Sequence, residues 1–450
     1  MGKPSQFNHA MTLLPPYNRP FGAITQKRIL RLSGLYLILA FLGSSLFAFT
    51  HSTTLQAFGL GLIFPGGGFF VYSDLFTQGE NRHFFAVLSS VALFVMALGV
   101  WFGTGNIFAP ALAWLATAIW AASISHDAAK ADALLALYSF VGLTLFAVIA
   151  MLCIRHVMAT RQRRIDNAYL LNQQDELSAI FIPTVSEETP ELSLEDLQRL
   201  RFALDRALQP LDEFNGFEWL DQFQTAAVRY QINTLAYGIA MTQARFTPAF
   251  NGYLKEAQTN LLDKQANHKV WSYWWLENLW GNLKLDADPL RRENIMYIGF
   301  VALQMALFEA STGCAEFSNK GRFKLAHPSG KYYTYDYAAL VECLEKEYQS
   351  SEFFLIACEP NWIYPLCNTI GASAMLAFDA QKGKTKWKQY EKEFRHYLES
   401  EFLDAFGRYV PCRSTKTGLA LPAIGGVMPL AMPCFFLNAI APDLAIRQWL

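Results

Sequence analysis

Two cysteines, Cys358 and Cys367, flank Glu359-Pro360-Asn361-Trp362-Ile363-Tyr364-Pro365-Leu366, and this segment holds the residues best placed for chemistry. A thiol whose surroundings tune its ionisation serves as a base. A carboxylic acid buried among aromatic rings has a raised pKa and serves as a proton donor. Acid–base elimination of water from an alcohol needs such a pair: an acid for the leaving hydroxyl and a base for a proton on carbon. An aromatic wall tolerates the cationic character between the two steps. Trp271, Trp274, Trp275 and Tyr230 are the aromatic residues at hand.

Each of these residues also has a plain structural reading. Buried cysteine is most often a small inert hydrophobe, and a tryptophan cluster is often core. Glu359 reads as a charge favoured at a helix N-terminus, while Glu293 and Asn294 read as caps or ties between helices. The chain has no GxSxG elbow, HExxH, P-loop or dinucleotide fingerprint. Seven cysteines without a CxxC pair, and eight scattered histidines, argue against structural zinc and for a reduced, cytoplasm-facing domain.

The elements that must position these groups are helical. Prolines 360 and 365 disfavour continuous helix, so the segment is expected to break a helical bundle and set both thiols at its mouth. From 195 onward apolar residues recur at spacings of three and four, as in LeuGluAspLeuGlnArgLeuArgPheAlaLeuAsp. Stretches 230–240, 297–310, 335–344 and 387–398 repeat the pattern. The best alternating stretch is short, ArgPheLysLeuAla at 322–326. The soluble part is therefore expected to be all-α, built of helical hairpins.

The remainder is oily: 52% of residues are hydrophobic and only 17% charged, too apolar for an ordinary soluble protein. Lysine plus arginine is 37 against 38 acidic residues, so no charge excess argues for nucleic acid. Runs at 32–49, 84–103, 107–123 and 133–154 approach the ~20 residues a bilayer requires. Lys27, Arg28 and Arg31 precede the first run, and Arg155, Arg161, Arg163 and Arg164 follow the last. The positive-inside rule then makes an integral membrane protein with both termini cytoplasmic and four spans. Segment 55–77, split by Pro65-Gly66-Gly67-Gly68, is read as re-entrant or interfacial. Its glycines either line an entry for lipid or form a tightly packed helix break. The expected organisation is a polar tail at 1–28, a transmembrane domain at 29–155, a linker at 156–195 and a helical domain at 196–450.

Three blocks carry a resemblance. ValTrpSerTyrTrpTrpLeuGluAsn through AspProLeuArgArgGluAsnIleMetTyrIleGlyPhe (270–300), CysGluProAsnTrpIleTyrProLeuCysAsn (358–368) and AlaValArgTyrGlnIleAsnThrLeuAlaTyrGlyIleAla (227–240) resemble the linalool dehydratase/isomerase family. Weaker similarity runs from about 197 to 450, with the membrane segment outside it. The resemblance implies an (α/α) barrel or toroid and a cofactor-free lyase or isomerase of a terpenoid alcohol or alkene. A homo-oligomer is among the assemblies it allows. It also implies catalytic roles for Asp205 (Asp212 as fallback), Cys358 and Cys367, and a pocket lined by Tyr230, Met296, Phe300 and Tyr364. Phe300 stands where the family carries a histidine, and phenylalanine neither gives nor takes a proton. The chain ends at 450, sooner than such a barrel closes, so either a fragment or an incomplete toroid is expected. Expected partners are a hydrophobic small molecule and membrane lipid, with no metal. Two other classes stay open: a silent membrane-anchored binding or scaffold protein, and a glycan-active toroid using Glu277, Asp286, Asp288 and Glu293.

Overall fold

The computed structural model describes residues 12–17, 22–72, 82–125, 132–180, 191–220, 227–248, 250–421 and 427–450. They fall into two compact units. The first spans Ala23–Ala159 with Lys416–Leu419, and the second holds the described parts of Met1–Gly22, Thr160–Thr415 and Ala420–Leu450.

The first unit contains helices α1 (Ala23–Phe49), α2 (Thr53–Ile63), α3 (Arg82–Thr104), α4 (Phe108–Ser123) and the opening part of α5 (Ala133–Ile180). By length and composition α1, α3 and the 133–173 stretch of α5 are long and apolar enough to cross a membrane. Only 11%, 22% and 6% of their most apolar windows is buried, so their oily faces need lipid or another apolar cover. Helix α4, at the expected third span, has 16 residues and falls among the shorter apolar helices. The break at 65–68 packs tightly. A Cβ on Gly67 would lie 2.4 Å from the Leu60 carbonyl oxygen, and one on Gly68 2.6 Å from that of Ala57. Residues 73–77 of the split segment, the loop residues His126, Asp127 and Lys130, and linker residues 181–190 lie outside the described residues. Residues 156–180 of the expected linker are helical, because α5 continues without a break as far as Ile180.

The second unit contains α6 (Leu194–Ala207), α7 (Val228–Phe246), α8 (Gly252–Gln265), α9 (His268–Trp271), α10 (Trp274–Asn282) and α11 (Ile295–Thr312). Further along are α12 (Tyr337–Ser350), α13 (Pro365–Lys382), α14 (Lys386–Glu401), α15 (Val427–Ile440) and α16 (Pro442–Trp449). Strands β1 (Phe323–Ala326) and β2 (Tyr332–Tyr335) form an antiparallel hairpin at the one short alternating stretch, so the second unit is mostly helical rather than all-α as expected. Strands β3 (Ala357–Glu359), β4 (Trp362–Ile363) and β5 (Arg413–Ser414) form a second small sheet.

Side-chain contacts fix the directions of the central helices. Arg229 near the start of α7 meets Met296 near the start of α11. Farther along, Gln243 of α7 reaches Asn251, which donates to the Thr312 carbonyl at the end of α11. Gly299 of α11 lies against Gly371 of α13, and Gln381 donates to the Ala306 carbonyl. Thus α7, α11 and α13 run parallel with their N-termini at one end. Tyr337 and Tyr348 of α12 donate to the Ala374 and Asn368 carbonyls, so α12 runs antiparallel to α13. Helix α11 is a fourth candidate span by composition, yet 72% of it is buried. An all-round apolar helix is either a membrane span or a core helix, and α11 is the latter.

Candidate active site

The proline-broken segment forms a β-hairpin followed by a helix. Strand β3 ends on Cys358 and Glu359, and the chain turns at Pro360-Asn361, where Asn361 takes φ +77°. Asparagine tolerates that left-handed conformation better than most residues. Pro365 occupies the first turn of α13, where its missing N–H costs nothing. Asn368 then closes the loop: it accepts from the Ile356 amide at 2.8 Å and donates to the Ile356 and Tyr364 carbonyls, each at 2.9 Å. These bonds bring strand and helix together, and the Cys358 and Cys367 sulfurs face one another at 3.7 Å. Both thiols are buried and none of the seven cysteines is in a disulfide.

Beside the thiols lies a buried charge cluster around Arg229, itself 1% exposed. One guanidinium nitrogen, Nη2, stands 3.7 Å from Glu359 Oε1 and 2.9 Å from Met296 Sδ. The guanidinium carbon lies 4.3 Å above the Tyr273 ring. Tyr273 donates to Asn294 Oδ1 at 2.9 Å, and Asn294 donates to the Pro289 carbonyl. Glu277, one turn beyond Tyr273, is buried, and its Oε2 has no hydrogen-bond partner among the described residues.

Burial first, and then the Glu359 carboxylate, push the Glu277 carboxyl up to about 8 against the opposing pull of Arg229. It is a neutral acid over most of the physiological range. Burial disfavours the Arg229 charge, but Tyr273, Glu277, Cys358 and Glu359 together outweigh it and raise the guanidinium. The Cys358 thiol is pushed well up by burial, by its bond with Cys367 and by Glu359, with Arg229 opposing. Burial and then Glu359, Cys412, Cys358 and Cys367 raise the Tyr364 phenol. Three parallel helix N-termini also end here, and their peptide dipoles favour negative charge. The site is thus a dry group of proton donors around one fixed cation.

Among the expected site residues, Cys358, Cys367, Met296 and Tyr364 fall in this cluster. Tyr230 follows Arg229 on α7 and is partly buried. Phe300, one turn beyond Met296, is buried, and its carbonyl accepts from the Tyr237 hydroxyl at 2.8 Å. Asp205 is not brought to the thiols. It sits on the exposed face of α6, 3.9 Å from Arg201, because an amphipathic helix turns its charges outward. The fallback Asp212 is exposed as well. Of the tryptophans, Trp274 packs edge-on to Tyr273 beside the cluster, whereas Trp271 packs with His268, His327 and Tyr333. Glu359 is in a strand and paired with Arg229 rather than heading a helix. Glu293 and Asn294 do tie elements: Glu293 accepts from Asn282 and its amide donates to Glu347.

Arg229 and Tyr273 are the functional-site residues that residue spacing alone leaves unmarked. The available signal was a lone cation in the apolar stretch AlaValArgTyrGlnIle, matched by the carboxylate Glu359 in an equally apolar one. A buried charge requires a buried partner. Among the described residues no group of three His, Cys, Asp or Glu side chains is placed to hold a metal ion.

The matched region opens on the buried cation itself and contains both thiols, Glu277 and Glu359. It supports a dehydratase/isomerase-type enzyme at the level of the family. Residues 229–450, the C-terminal domain of this chain, match the linalool dehydratase/isomerase family.

Proposed function

We propose that this chain is a membrane-anchored lyase or isomerase that dehydrates or isomerises a terpenoid alcohol or alkene by acid–base chemistry without a cofactor. The observation that carries the reading is the Cys358–Cys367 pair at 3.7 Å beside the Arg229–Glu359–Glu277 cluster. Glu277, held neutral, takes the acid role first assigned to Asp205 and protonates the leaving hydroxyl. A cysteine in its thiolate form, which Arg229 favours against burial, removes the proton from the neighbouring carbon, and the carbon–oxygen bond breaks as the alkene forms. The products are alkene and water, and the proton left on sulfur returns to Glu277. Arg229 steadies whichever of these groups carries negative charge. On this reading α7, α11 and α13 belong to the inner wall of an α/α ring, and the exposed apolar helices of the first unit keep the enzyme at the bilayer where such substrates collect.

The glycan-active reading has less support. Its four acids are dispersed in role: Asp286 pairs with Arg291, Asp288 accepts from Tyr335 and Glu293 from Asn282. Glycoside hydrolysis needs two carboxyls flanking one polar cleft. Here two buried acids, Glu277 and Glu359, lie in the field of a single cation, Arg229, instead.

The test is turnover of tertiary allylic terpenoid alcohols by the full-length protein in lipid, with Cys358→Ala and Cys367→Ala. Loss of a proton-transfer group lowers the rate by ~10²-fold or more. An unchanged product profile in both variants would reject the site.

A further inference from the structure

A second space lies farther along the helices that carry the site. Within the same unit an apolar cavity of about 820 Å³ is lined by Tyr237, Met241, Leu303, Leu307, Phe436 and Trp449, among others. It uses the same three parallel helices as the thiol site, displaced along each by a similar amount. On α7 the step is from Arg229 to Tyr237, on α11 from Met296 to Leu303, and on α13 from Cys367 to Ser373. Six to eight residues at 1.5 Å each make about 9–12 Å. On α11 the residues Met296, Phe300, Leu303 and Leu307 follow one another at spacings of four and three, so one apolar stripe of the helix runs from the site toward the cavity. The polar atoms beside it are spent elsewhere. Tyr237 donates to the Phe300 carbonyl at 2.8 Å, and Ser373 to the Thr369 carbonyl at 2.8 Å. Tyr237 lines the cavity, and its phenol, bonded to the Phe300 carbonyl, is raised by burial and then by Cys367.

We propose that this cavity is the tail subsite of the substrate, so that the ligand is a long isoprenoid alcohol of about twenty carbons with its functional end at Cys358 and Cys367. The inference rests on the reaction proposed above and names its substrate by length. An extended chain advances roughly 1.2 Å per bond, so crossing from thiols to cavity already takes about eight to ten bonds. A cavity of this volume lies within the ~300–1,000 Å³ of ligand pockets, so there is room for more chain beyond that. A ten-carbon alcohol seated at the thiols would leave the cavity unfilled.

The experiment uses the full-length chain in lipid nanodiscs and tertiary allylic isoprenoid alcohols of ten, fifteen and twenty carbons at matched free concentration. Binding is read by tryptophan fluorescence, to which Trp449 in the cavity wall contributes, and turnover by product analysis. Each added five-carbon unit is expected to tighten binding by about tenfold or more, because its carbons leave water for an apolar wall. Leu307→Trp and Met241→Trp fill the cavity and are expected to flatten that dependence. Met241 is half exposed, so its replacement does not endanger the fold, and a thermal melt checks both variants. Affinity that is flat in chain length, or variants that weaken all three alcohols equally, would overturn the tail subsite. So would a straight saturated alcohol of twenty carbons binding as tightly, which would identify a lipid acyl chain as the occupant. Length-dependent binding without turnover of any alcohol would uphold the subsite and reject the reaction.

Discussion

Gly299 on α11 and Gly371 on α13 meet backbone to backbone: a Cβ on Gly299 would lie 3.0 Å from the Gly371 Cα. This contact sets the spacing between the helix that carries Met296 and Phe300 and the helix that carries Cys367. Neither helix is free to yield, because α11 is buried along most of its length. Gly299→Ala is expected to destabilise the domain by about 1–3 kcal/mol, the range for overpacking a tight core. It should also lower turnover by moving Cys367 relative to Cys358. Chemical denaturation and product analysis on the same preparation check both, and a variant as stable and active as the parent would mean that the helices separate freely.

Removing Arg229 should be costlier. Arg229→Met leaves Glu359 buried without its cation, and breaking such a pair by deleting one partner costs about 3–5 kcal/mol. Arg229→Lys keeps the charge but loses the planar group lying over Tyr273. The expected order of unfolding midpoints is parent, then Lys, then Met, and equal midpoints for Lys and Met would refute a charge-based role.

Glu277 gives a pH dependence of definite sign. Its carboxyl titrates near 4.5 when unfolded and at about 8 when folded. The folded state therefore binds the proton more tightly, and the associated stability is full below about 4.5 and is lost as pH rises toward 8. The slope is on the order of 1 kcal/mol per pH unit across that window. Glu277→Gln removes the titration, so its melting temperature relative to the parent should climb from pH 5 to pH 8. Parallel curves for the two proteins would show that Glu277 does not titrate in this interval.

Asp205→Asn should leave stability within about 0.5 kcal/mol, since an exposed i,i+4 pair with Arg201 contributes little. Thermal unfolding at two salt concentrations measures this. A loss of turnover at unchanged stability would place Asp205 against a thiol pair other than that of its own chain.

How far the sequence disclosed this molecule differs residue by residue. The helices of the second unit were legible because their apolar residues recur at the period that lets a helix bury one face. The cysteine segment was legible as a break because proline at 360 and 365 has no backbone N–H to donate. That the break would be a β-hairpin pinned by Asn368 was not, since those bonds join residues through a fold that spacing does not describe. Asp205 lies on the exposed face of α6, and sequence alone leaves its role open, because carboxylates on amphipathic helices look alike whether they face solvent or a site. Arg229 and Tyr273 went unmarked because their meeting joins residues from α7 and the turn before α10.

Local chemistry in the chain alone determined an oily N-terminal part, a helical C-terminal part and two thiols held at a proline-marked interruption, because periodicity, proline geometry and apolar length act over a few residues. Only the tertiary structure decided that the sulfurs face each other, that Arg229 holds Glu359 while Glu277 stays neutral, and that an apolar space lies two turns beyond. Burial and electrostatics depend on which distant side chains share a volume, and no stretch of sequence carries that information by itself.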